Sequence, residues 1–316
     1  MQMQFPTFKD VELAHSRIRP YINETPVLTC RSLNNILGAE LFFKCENFQK
    51  VGAFKFRGAA NAVFSLPDEQ AKRGVATHSS GNHAAALALA ARLRGIKSYI
   101  VMPESSPNVK KMAVAGYGAE ITYCKPTLQD REEGLQEVVE RTNAIFIHPF
   151  NDPVVISGQG TASVELLRVV NDLDVIIAPV GGGGMISGTA TVVHEKYPYI
   201  KVVAAEPENA DDAYRSFKTG KLIPSVNPNT IADGLLTSLS PLTFSIIREK
   251  VEDVITTSEE LIIEAMRMIW ERMKIIVEPS SAVALAAVLK DLRRFSGKRV
   301  GIIVTGGNVD LDHLPF

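Results

Sequence analysis

The sequence is poor in cysteine and has no long apolar run. Its three cysteines, Cys30, Cys45 and Cys124, are scattered and lack the CxxC spacing of many metal and redox sites. Such a set is typical of reduced thiols, and we therefore expect a cytoplasmic protein. No apolar stretch approaches the roughly 18 residues that a membrane span needs. The first residues, MQMQFPTFKD, lack the basic region and apolar core of a secretory signal.

An excess of charge of either sign is also missing. Lysine and arginine number 34 and aspartate and glutamate 35, which gives a formal net charge of −1. Because no long-range field would attract a nucleic acid or a membrane surface, we expect neither as a partner. What the sequence does have is 316 residues, 46% of them hydrophobic, which is enough for two lobes with separate cores.

Short apolar strands alternate with longer helical patterns along the chain. This order predicts an α/β fold in which parallel sheets are covered by helices on both faces. The runs VIIAPV and VGIIVT are typical of strands buried on both sides. The predicted strands are 41–44, 75–77, 98–101, 120–123, 145–148, 175–180, 201–205 and 300–304. The predicted helices include 84–94, 108–117, 130–142, 160–170, 184–196 and 258–273, the last with Ser258 at its start.

Two lobes are expected, although no linker, internal repeat or low-complexity stretch divides them. The segment from 74 to 150 contains a complete strand–helix alternation of its own. We therefore predict a small lobe at 74–150, inserted into a large lobe built from 1–73 and 151–316.

Lys55 lies between two phenylalanines in the segment AFKFRG. Aromatic neighbours place an amine in a drier setting, where the ammonium form is disfavoured and the pKa falls. A neutral lysine amine is a nucleophile that can form a Schiff base with an aldehyde. Taken alone, the segment fits better a lysine at a helix start with ordinary core neighbours, and it is two glycine-rich loops further along the chain that favour a nucleophile.

Four successive glycines, Gly181 to Gly184, follow a buried strand and open a helix at Met185. They let backbone N–H groups converge on one point, and the helix N-terminus adds partial positive charge. This pattern predicts a phosphate site. It is neither a P-loop, since no Lys-Ser/Thr follows, nor a dinucleotide fingerprint, since the G-x-G-x-x-G spacing is absent.

Two further loops follow predicted strands. Between a strand and a helix, the loop THSSGNH holds Ser79, Ser80, Gly81, Asn82 and His83, which offer helix capping and amide donors suited to a carboxylate. After the last strand, the loop VTGGN carries the Thr305 hydroxyl at the sheet edge where ligands bind in open α/β folds.

An acidic loop, EPENADD, follows the strand at 201–205. Its carboxylates, together with a backbone carbonyl, suit Mg²⁺ or Ca²⁺, and a solvated acidic turn fits the residues about equally well.

One cofactor would use all of the other features described above. It must have both an aldehyde and a phosphate, to match a nucleophilic lysine, a phosphate site, a carboxylate-binding loop and a hydroxyl at a strand end. That cofactor is pyridoxal 5'-phosphate.

The chain resembles the fold-type II pyridoxal-phosphate enzymes, namely serine racemase and threonine/serine dehydratase, from about residue 8 to residue 310. The motifs that carry the resemblance are FKCENFQKVGAFKFRGA, THSSGNHAAA, ISGQGTASVELL, PVGGGGMISG, AAEPENADDAYRS, TIADG, VEPS and TGGNVDL. AAEPENADD is most similar to the serine racemase branch. The resemblance implies the tryptophan synthase β-like fold, with two open, twisted, mostly parallel sheets, and a homodimer that acts on small amino acids.

The resemblance also implies a role for each matching residue. Lys55 would bind the cofactor covalently and abstract the Cα proton, and Ser80 would act as acid or base on the opposite face. The other implied cofactor contacts are Phe54, Asn82, Gly181, Gly182, Gly183, Gly184, Met185 and Thr305. The implied substrate contacts are Ser79, Ser80, Gly81, Asn82 and His83. A divalent cation would bind Glu206, Asp212 and the carbonyl of Ala210.

The sequence departs from the family pattern at several positions. Thr305 replaces the usual serine but keeps its hydroxyl. Val51 and Ala85 replace polar residues that surround a nucleotide effector site in the mammalian racemases, which puts ATP activation in doubt. Because the sequence stops soon after TGGNVDL, we expect no C-terminal regulatory domain of the kind found in the biosynthetic threonine dehydratases.

The activity implied by the resemblance is dehydration of L-serine or L-threonine to a 2-oxo acid and ammonia, with serine racemisation beside it. The sequence leaves three alternatives: a 3-hydroxyaspartate dehydratase, which shares every motif, a β-replacement synthase such as cysteine synthase, and an inactive ligand-binding paralogue. The loops SSGNH and GGGGM favour a dehydratase over the synthase. Retention of Lys55, Ser80 and Asn82 argues against an inactive protein.

Overall fold

Ten strands form two sheets within residues 4–79, 81–106 and 108–316, which the computed structural model describes. The strands are β1 (Val27–Leu28), β2 (Glu40–Cys45), β3 (Val75–His78), β4 (Ser98–Pro103), β5 (Glu120–Cys124), β6 (Ile145–Phe146), β7 (Val175–Pro179), β8 (Lys201–Pro207), β9 (Asp253–Thr257) and β10 (Arg299–Val304).

The two sheets are mostly parallel, which confirms the predicted fold class. The larger sheet has the order β1-β2-β10-β7-β8-β9, and only β1 runs antiparallel to its neighbour. The smaller sheet has the order β5-β4-β3-β6 and is parallel throughout. Because parallel strands end at the same edge of a sheet, the loops after β2, β7 and β10 lie side by side.

Fourteen α-helices occur in the same described part of the chain. They are α1 (Phe8–Ile18), α2 (Arg31–Leu37), α3 (Lys55–Ser65), α4 (Asp68–Ala71), α5 (Asn82–Arg94), α6 (Asn108–Gly116), α7 (Leu128–Thr142), α8 (Pro153–Val169), α9 (Gly184–Lys196), α10 (Asp212–Thr219), α11 (Pro241–Lys250), α12 (Glu259–Met273), α13 (Pro279–Lys290) and α14 (Leu292–Phe295).

Helix α8 begins seven residues earlier than the predicted start at 160. Asp152 caps it by accepting hydrogen bonds from the Val154 and Val155 N–H groups (2.7 and 3.4 Å), and Pro153 occupies the first turn. Gly160, taken as the helix start, is instead an interior position where α8 and α9 touch. A Cβ there would lie 2.9 Å from the Gly188 carbonyl oxygen.

The core of the larger sheet lies on both of its faces, as the runs VIIAPV and VGIIVT predict. Alternate residues of β7 belong to different apolar clusters: Val175 and Ile177 pack with α12 and α13, whereas Ile176 and Ala178 pack with α8 and α9. This alternation is the two-residue period of a strand covered by helices on both sides.

A group of four charged side chains is buried where α3 and α8 meet β2. The Arg57 guanidinium donates to Glu46 from Nε (2.6 Å) and Nη2 (2.8 Å), and to Glu165 from Nη1 (2.8 Å) and Nη2 (2.7 Å). Lys44 donates to Glu165 (2.6 Å). All four side chains are buried, and their formal charges sum to zero. They anchor the first turn of α3, which begins at Lys55.

All four strands of the smaller sheet come from residues 75–146, inside the segment predicted as the small lobe. The division of the lobes at 73/74 and 150/151 stays a prediction. No helix of the described residues is long and apolar enough to span a membrane.

Candidate active site

The described residues that were predicted to contact the cofactor lie on the loops that follow β2, β3, β7 and β10. Lys55 opens α3 ten residues beyond the end of β2, and Thr305 comes directly after β10. The two loops pair: Ala53 and Gly306 form an isolated bridge, and the Phe54 N–H donates to the Thr305 carbonyl (2.9 Å). The lysine loop and the threonine loop are therefore held as one unit.

The Lys55 side chain is half-buried and has one hydrogen-bond partner among the described residues. Its Nζ donates to the Pro149 carbonyl (3.3 Å) and lies 5.1 Å from the centre of the Phe54 ring. Burial lowers the pKa of Lys55 to about 8, against an opposing effect of the Glu278 carboxylate. The lowered pKa agrees with the expectation from its aromatic neighbours. Phe56, however, is buried in an apolar cluster formed largely by residues of α3 and α5.

The glycine loop between β7 and α9 is buried and closely packed. Gly183 has a positive φ of +86°, and a Cβ there would lie 2.8 Å from the Thr243 Cβ. A Cβ on Gly182 would lie 2.3 Å from the Phe150 ring. No side chain caps α9, and no acceptor among the described residues takes a hydrogen bond from the N–H groups of Gly182 to Met185. Unpaired, converging N–H groups at a helix start fit a phosphate.

Asn82 is fixed by a network that the sequence analysis missed. Its Nδ2 donates to both carboxylate oxygens of Glu278 (3.0 and 3.2 Å), and its Oδ1 accepts from Asn308 Nδ2 (2.9 Å). The Asn308 N–H also donates to Glu278 (3.2 Å). Burial raises the pKa of Glu278 to about 7. The only sequence signal for Glu278 is its place in the VEPS motif.

The Thr305 hydroxyl is buried and lies 3.0 Å from the Ser281 hydroxyl. Ser281 Oγ also accepts from the Gly306 N–H (2.6 Å). Ser281 was not among the predicted residues. It fixes the backbone next to Thr305, whose hydroxyl lies directly after the end of β10.

The loop before α5 is only partly described, because Ser80 lies outside the described residues and its assigned role stays a prediction. Ser79 is half-buried, and its Oγ accepts from the Gly81 N–H (3.3 Å). No described side chain caps α5, which argues against simple helix capping as the purpose of this loop. His83 is buried, and burial and the Lys55 charge lower its pKa well below the ordinary value.

The predicted cation ligands lie apart from Lys55, at the end of β8. Glu206 is buried and accepts from the Ala213 and Tyr214 N–H groups (2.9 and 2.8 Å). Asp212 Oδ2 accepts from the Leu239 N–H (3.1 Å), and its buried Oδ1 has no partner among the described residues. Burial and Asp212 raise the pKa of Glu206 to about 9, and burial raises that of Asp212 to about 6.

Two adjacent buried carboxylates with one unpaired oxygen fit a bound cation. The described residues contain no group of three or more His, Cys, Asp or Glu side chains that could hold a metal. The predicted site differs from such a group, because it combines two carboxylates with the carbonyl of Ala210.

A cavity of about 320 Å³ adjoins Asn82. It is lined by Val51, Ala85, Lys110 and Asn308, among others. Val51 and Ala85, the two apolar residues discussed above for the nucleotide effector site, both line this cavity, and the expectation about ATP activation stays a prediction. A second cavity, of about 330 Å³, is lined by His78, Phe146, His148 and residues of α7.

Comparisons with known proteins agree with this geometry. A family model described as pyridoxal-phosphate dependent enzyme matches residues 18–306. A beta-hydroxyaspartate dehydratase of Paracoccus denitrificans is 54% identical over 99% of this chain and 100% of its own length. A serine racemase of Dictyostelium discoideum is 52% identical over 98% of this chain and 96% of its own. The crystal structure of a threonine deaminase from T.th. has a TM-score of 0.92 at 43% identity and covers 97% of this chain and 99% of its own.

Proposed function

The chain belongs to the pyridoxal-phosphate dependent enzymes, in the family of serine racemases and dehydratases, and from this premise we propose that it dehydrates L-serine or L-threonine to a 2-oxo acid and ammonia and also racemises serine. The observation that supports the proposal most is Lys55. Its half-buried amine has a pKa of about 8, close enough to neutrality to give and take a proton, and it lies in a loop paired to the Thr305 loop.

The residues present fit the cofactor. Gly181 to Met185 would hold its phosphate, Phe54 and Asn82 would contact its ring, and Lys55 would bind its aldehyde carbon. When bound, pyridoxal phosphate supplies an electron sink for the carbanion left by loss of the Cα proton. Lys55 would move that proton. Thr305 would offer a hydroxyl, and not a carboxylate, to the ring nitrogen, so the ring would be less readily protonated, which would favour elimination and proton exchange over transamination.

A 3-hydroxyaspartate dehydratase is the second candidate, because a beta-hydroxyaspartate dehydratase is 54% identical to this chain. The site offers basic groups for a second carboxylate. His78 and His148 have ring centres 6.5 Å apart, and the Arg131 guanidinium is near enough for its charge to contribute to the lowered pKa of His78. A carboxylate bound here could accept hydrogen bonds from ring N–H groups of the neutral imidazoles, without a change in their charge.

The deciding experiment incubates the purified holoenzyme with L-serine, L-threonine and 3-hydroxyaspartate in parallel and measures 2-oxo acid, ammonia and enantiomer composition. Pyruvate and D-serine from L-serine would support the first candidate. Oxaloacetate from 3-hydroxyaspartate at a much higher kcat/KM than pyruvate from L-serine would support the second. No 2-oxo acid from any of the three would contradict both.

We further propose that Glu206, Asp212 and the Ala210 carbonyl hold Mg²⁺ or Ca²⁺, whose charge would pair with the buried carboxylates. Removal of divalent cations by a chelator should lower the melting temperature, and excess Mg²⁺ or Ca²⁺ should restore it. A cation at about 100 times its Kd stabilises the folded state by about 2.7 kcal/mol, which corresponds to several degrees.

The matched variants for this cation test are Glu206→Gln and Glu208→Gln. Glu208 is exposed and pairs with Lys290 (2.8 Å), so its variant should keep the full response to metal, whereas Glu206→Gln should lose it. Identical melting curves in chelator and in excess metal would remove the site.

A homodimer is also proposed for this enzyme. Phe48 and Ile276 have exposed side chains, and the chain segments that carry them meet where Asn47 Nδ2 donates to the Ile276 carbonyl (3.0 Å). Exposed apolar side chains in one region are common at protein–protein contacts. The mass in solution, measured by light scattering, tests this proposal.

A further inference from the structure

The chain makes a tight turn directly after β6, and His148 holds it together. His148 Nδ1 accepts hydrogen bonds from the Phe150 N–H (3.2 Å) and the Asn151 N–H (2.8 Å). A ring nitrogen that accepts two hydrogen bonds carries no proton, so the proton of the neutral imidazole is on Nε2. The turn also explains why β6 ends at Phe146, two residues before the predicted strand end.

The turn at 148–151 touches two parts of the candidate active site. Pro149 supplies the carbonyl to which Lys55 Nζ donates (3.3 Å), the one hydrogen-bond acceptor of that amine among the described residues. Phe150 packs on the glycine loop: its ring lies 2.3 Å from where a Gly182 Cβ would be, and its Cβ 3.1 Å from where a Gly184 Cβ would be. One turn therefore contacts both the lysine and the proposed phosphate site.

Other side chains fix the His148 ring from the surrounding elements. The Phe150 ring meets it edge-on at 4.7 Å between centres, and the Phe146 ring lies at 5.5 Å. The titratable groups that affect His148 are His78 and Lys55. Burial, with these two positive or potentially positive groups, lowers the pKa of His148 to about 4. At neutral pH the imidazole is therefore uncharged and able to accept both hydrogen bonds.

We propose that His148 is a positioning residue: by accepting the Phe150 and Asn151 N–H groups it holds the turn that orients the Lys55 amine toward the glycine loop. The proposal rests on the proposed function, since it takes Lys55 and the glycine loop as the cofactor site. His148 itself need not touch the cofactor or the substrate. Its effect passes through the Pro149 carbonyl and the Phe150 ring.

The test compares His148→Leu, which removes the acceptor, with His148→Asn, which keeps one. An asparagine Oδ1 accepts hydrogen bonds from N–H groups two and three residues ahead, as in an Asx-turn. A third variant, Val138→Ala, removes buried apolar atoms from the cluster in which α7 packs against the smaller sheet, and it serves as a control for general destabilisation. Three quantities are measured on the full-length chain: the melting temperature, the Kd for pyridoxal phosphate, and the pKa of Lys55.

The pKa of Lys55 is read in the cofactor-free protein from the pH dependence of its acetylation, followed by mass spectrometry. The charged or titratable groups that bear on it are Glu278, His83 and His148. In His148→Leu the loosened turn should admit water to the amine, and because burial is the main cause of its lowered pKa, that pKa should rise. The Kd for pyridoxal phosphate should increase about 10–100-fold.

His148→Asn should recover most of the affinity and bring the pKa of Lys55 back toward that of the wild type. Val138→Ala should lower the melting temperature but leave the Kd for pyridoxal phosphate and the pKa of Lys55 unchanged.

Two outcomes would overturn the proposal. In the first, His148→Leu has a Kd for pyridoxal phosphate and a pKa of Lys55 at wild-type values. In the second, Val138→Ala loses as much cofactor affinity as His148→Leu does. If His148→Leu does not fold, a folded His148→Asn variant with cofactor affinity reduced more than tenfold would overturn it as well. Failure of the wild type to bind pyridoxal phosphate would instead contradict the proposed function, and the Lys55 labelling would still test the turn.

Discussion

Lys55→Ala is expected to yield a folded protein that has neither the visible absorbance of a lysine-bound cofactor nor any measurable turnover. The substitution removes the amine that would bind the cofactor covalently and, with it, the group that would move the Cα proton. Loss of one positioned acid or base alone costs about 10²–10⁴-fold in rate. Among the described residues, Lys55 makes a single hydrogen bond, to the Pro149 carbonyl, and no salt bridge, so the melting temperature should change little on its removal.

The control for Lys55→Ala is Lys9→Ala, the same change at an exposed position on α1. It should keep both the absorbance and the activity. The visible spectrum and 2-oxo acid production are measured for both variants beside the wild type. A Lys55→Ala protein with wild-type spectrum and activity would end the pyridoxal-phosphate interpretation of this site.

Arg57→Met should destabilise the protein by about 3–5 kcal/mol, which is the usual cost of breaking a buried ion pair by removing one partner. Whole domains are stable by only about 5–15 kcal/mol, so the loss is severe. The change leaves the Glu46 and Glu165 carboxylates buried with Lys44 as the one remaining cation of the four-residue group. Urea unfolding measures the effect.

Two further variants test whether the destabilisation arises because the lost charge is buried. Lys201→Met breaks an exposed ion pair with Glu252, and such pairs contribute about 0–1 kcal/mol. The double variant Arg57→Met with Glu165→Gln restores a neutral group and should be less destabilised than the sum of the two single changes. A loss below about 1 kcal/mol in Arg57→Met would show that the buried network does not stabilise the fold.

Most of the larger sheet could be predicted from the sequence, because its strands combine apolar runs with glycine-rich loops at their ends. The edge strand β9 could not, since DVITT is short and mostly polar. The sequence contains a signal for the start of α8, because Asp152 followed by Pro153 is a typical helix beginning, but the predicted helix started at Gly160. Gly160 allows close packing between α8 and α9, and such packing depends on the tertiary structure.

At the candidate active site, the sequence predicts the groups on loops after strands and misses the groups that hold those loops. Glu278 contacts Asn82 from 196 positions away, and Pro149 contacts Lys55 from 94 positions away. No local pattern marks such a residue, because its partner is set by the topology of the two sheets. The same holds for Arg57 and Glu165, which are 108 positions apart.

The position of β10 has a consequence for the synthesis of the protein. β10 lies in the middle of the larger sheet, between β2 and β7, and pairs Arg299 with Glu40, 259 residues earlier in the chain. At a translation rate of about 5–20 residues per second, β2 leaves the ribosome about 10–50 seconds before its partner exists. During that interval β2 and β7 carry unpaired edges that can join other nascent chains. The yield of native enzyme should therefore depend on chaperones that cover these edges until the final strand arrives.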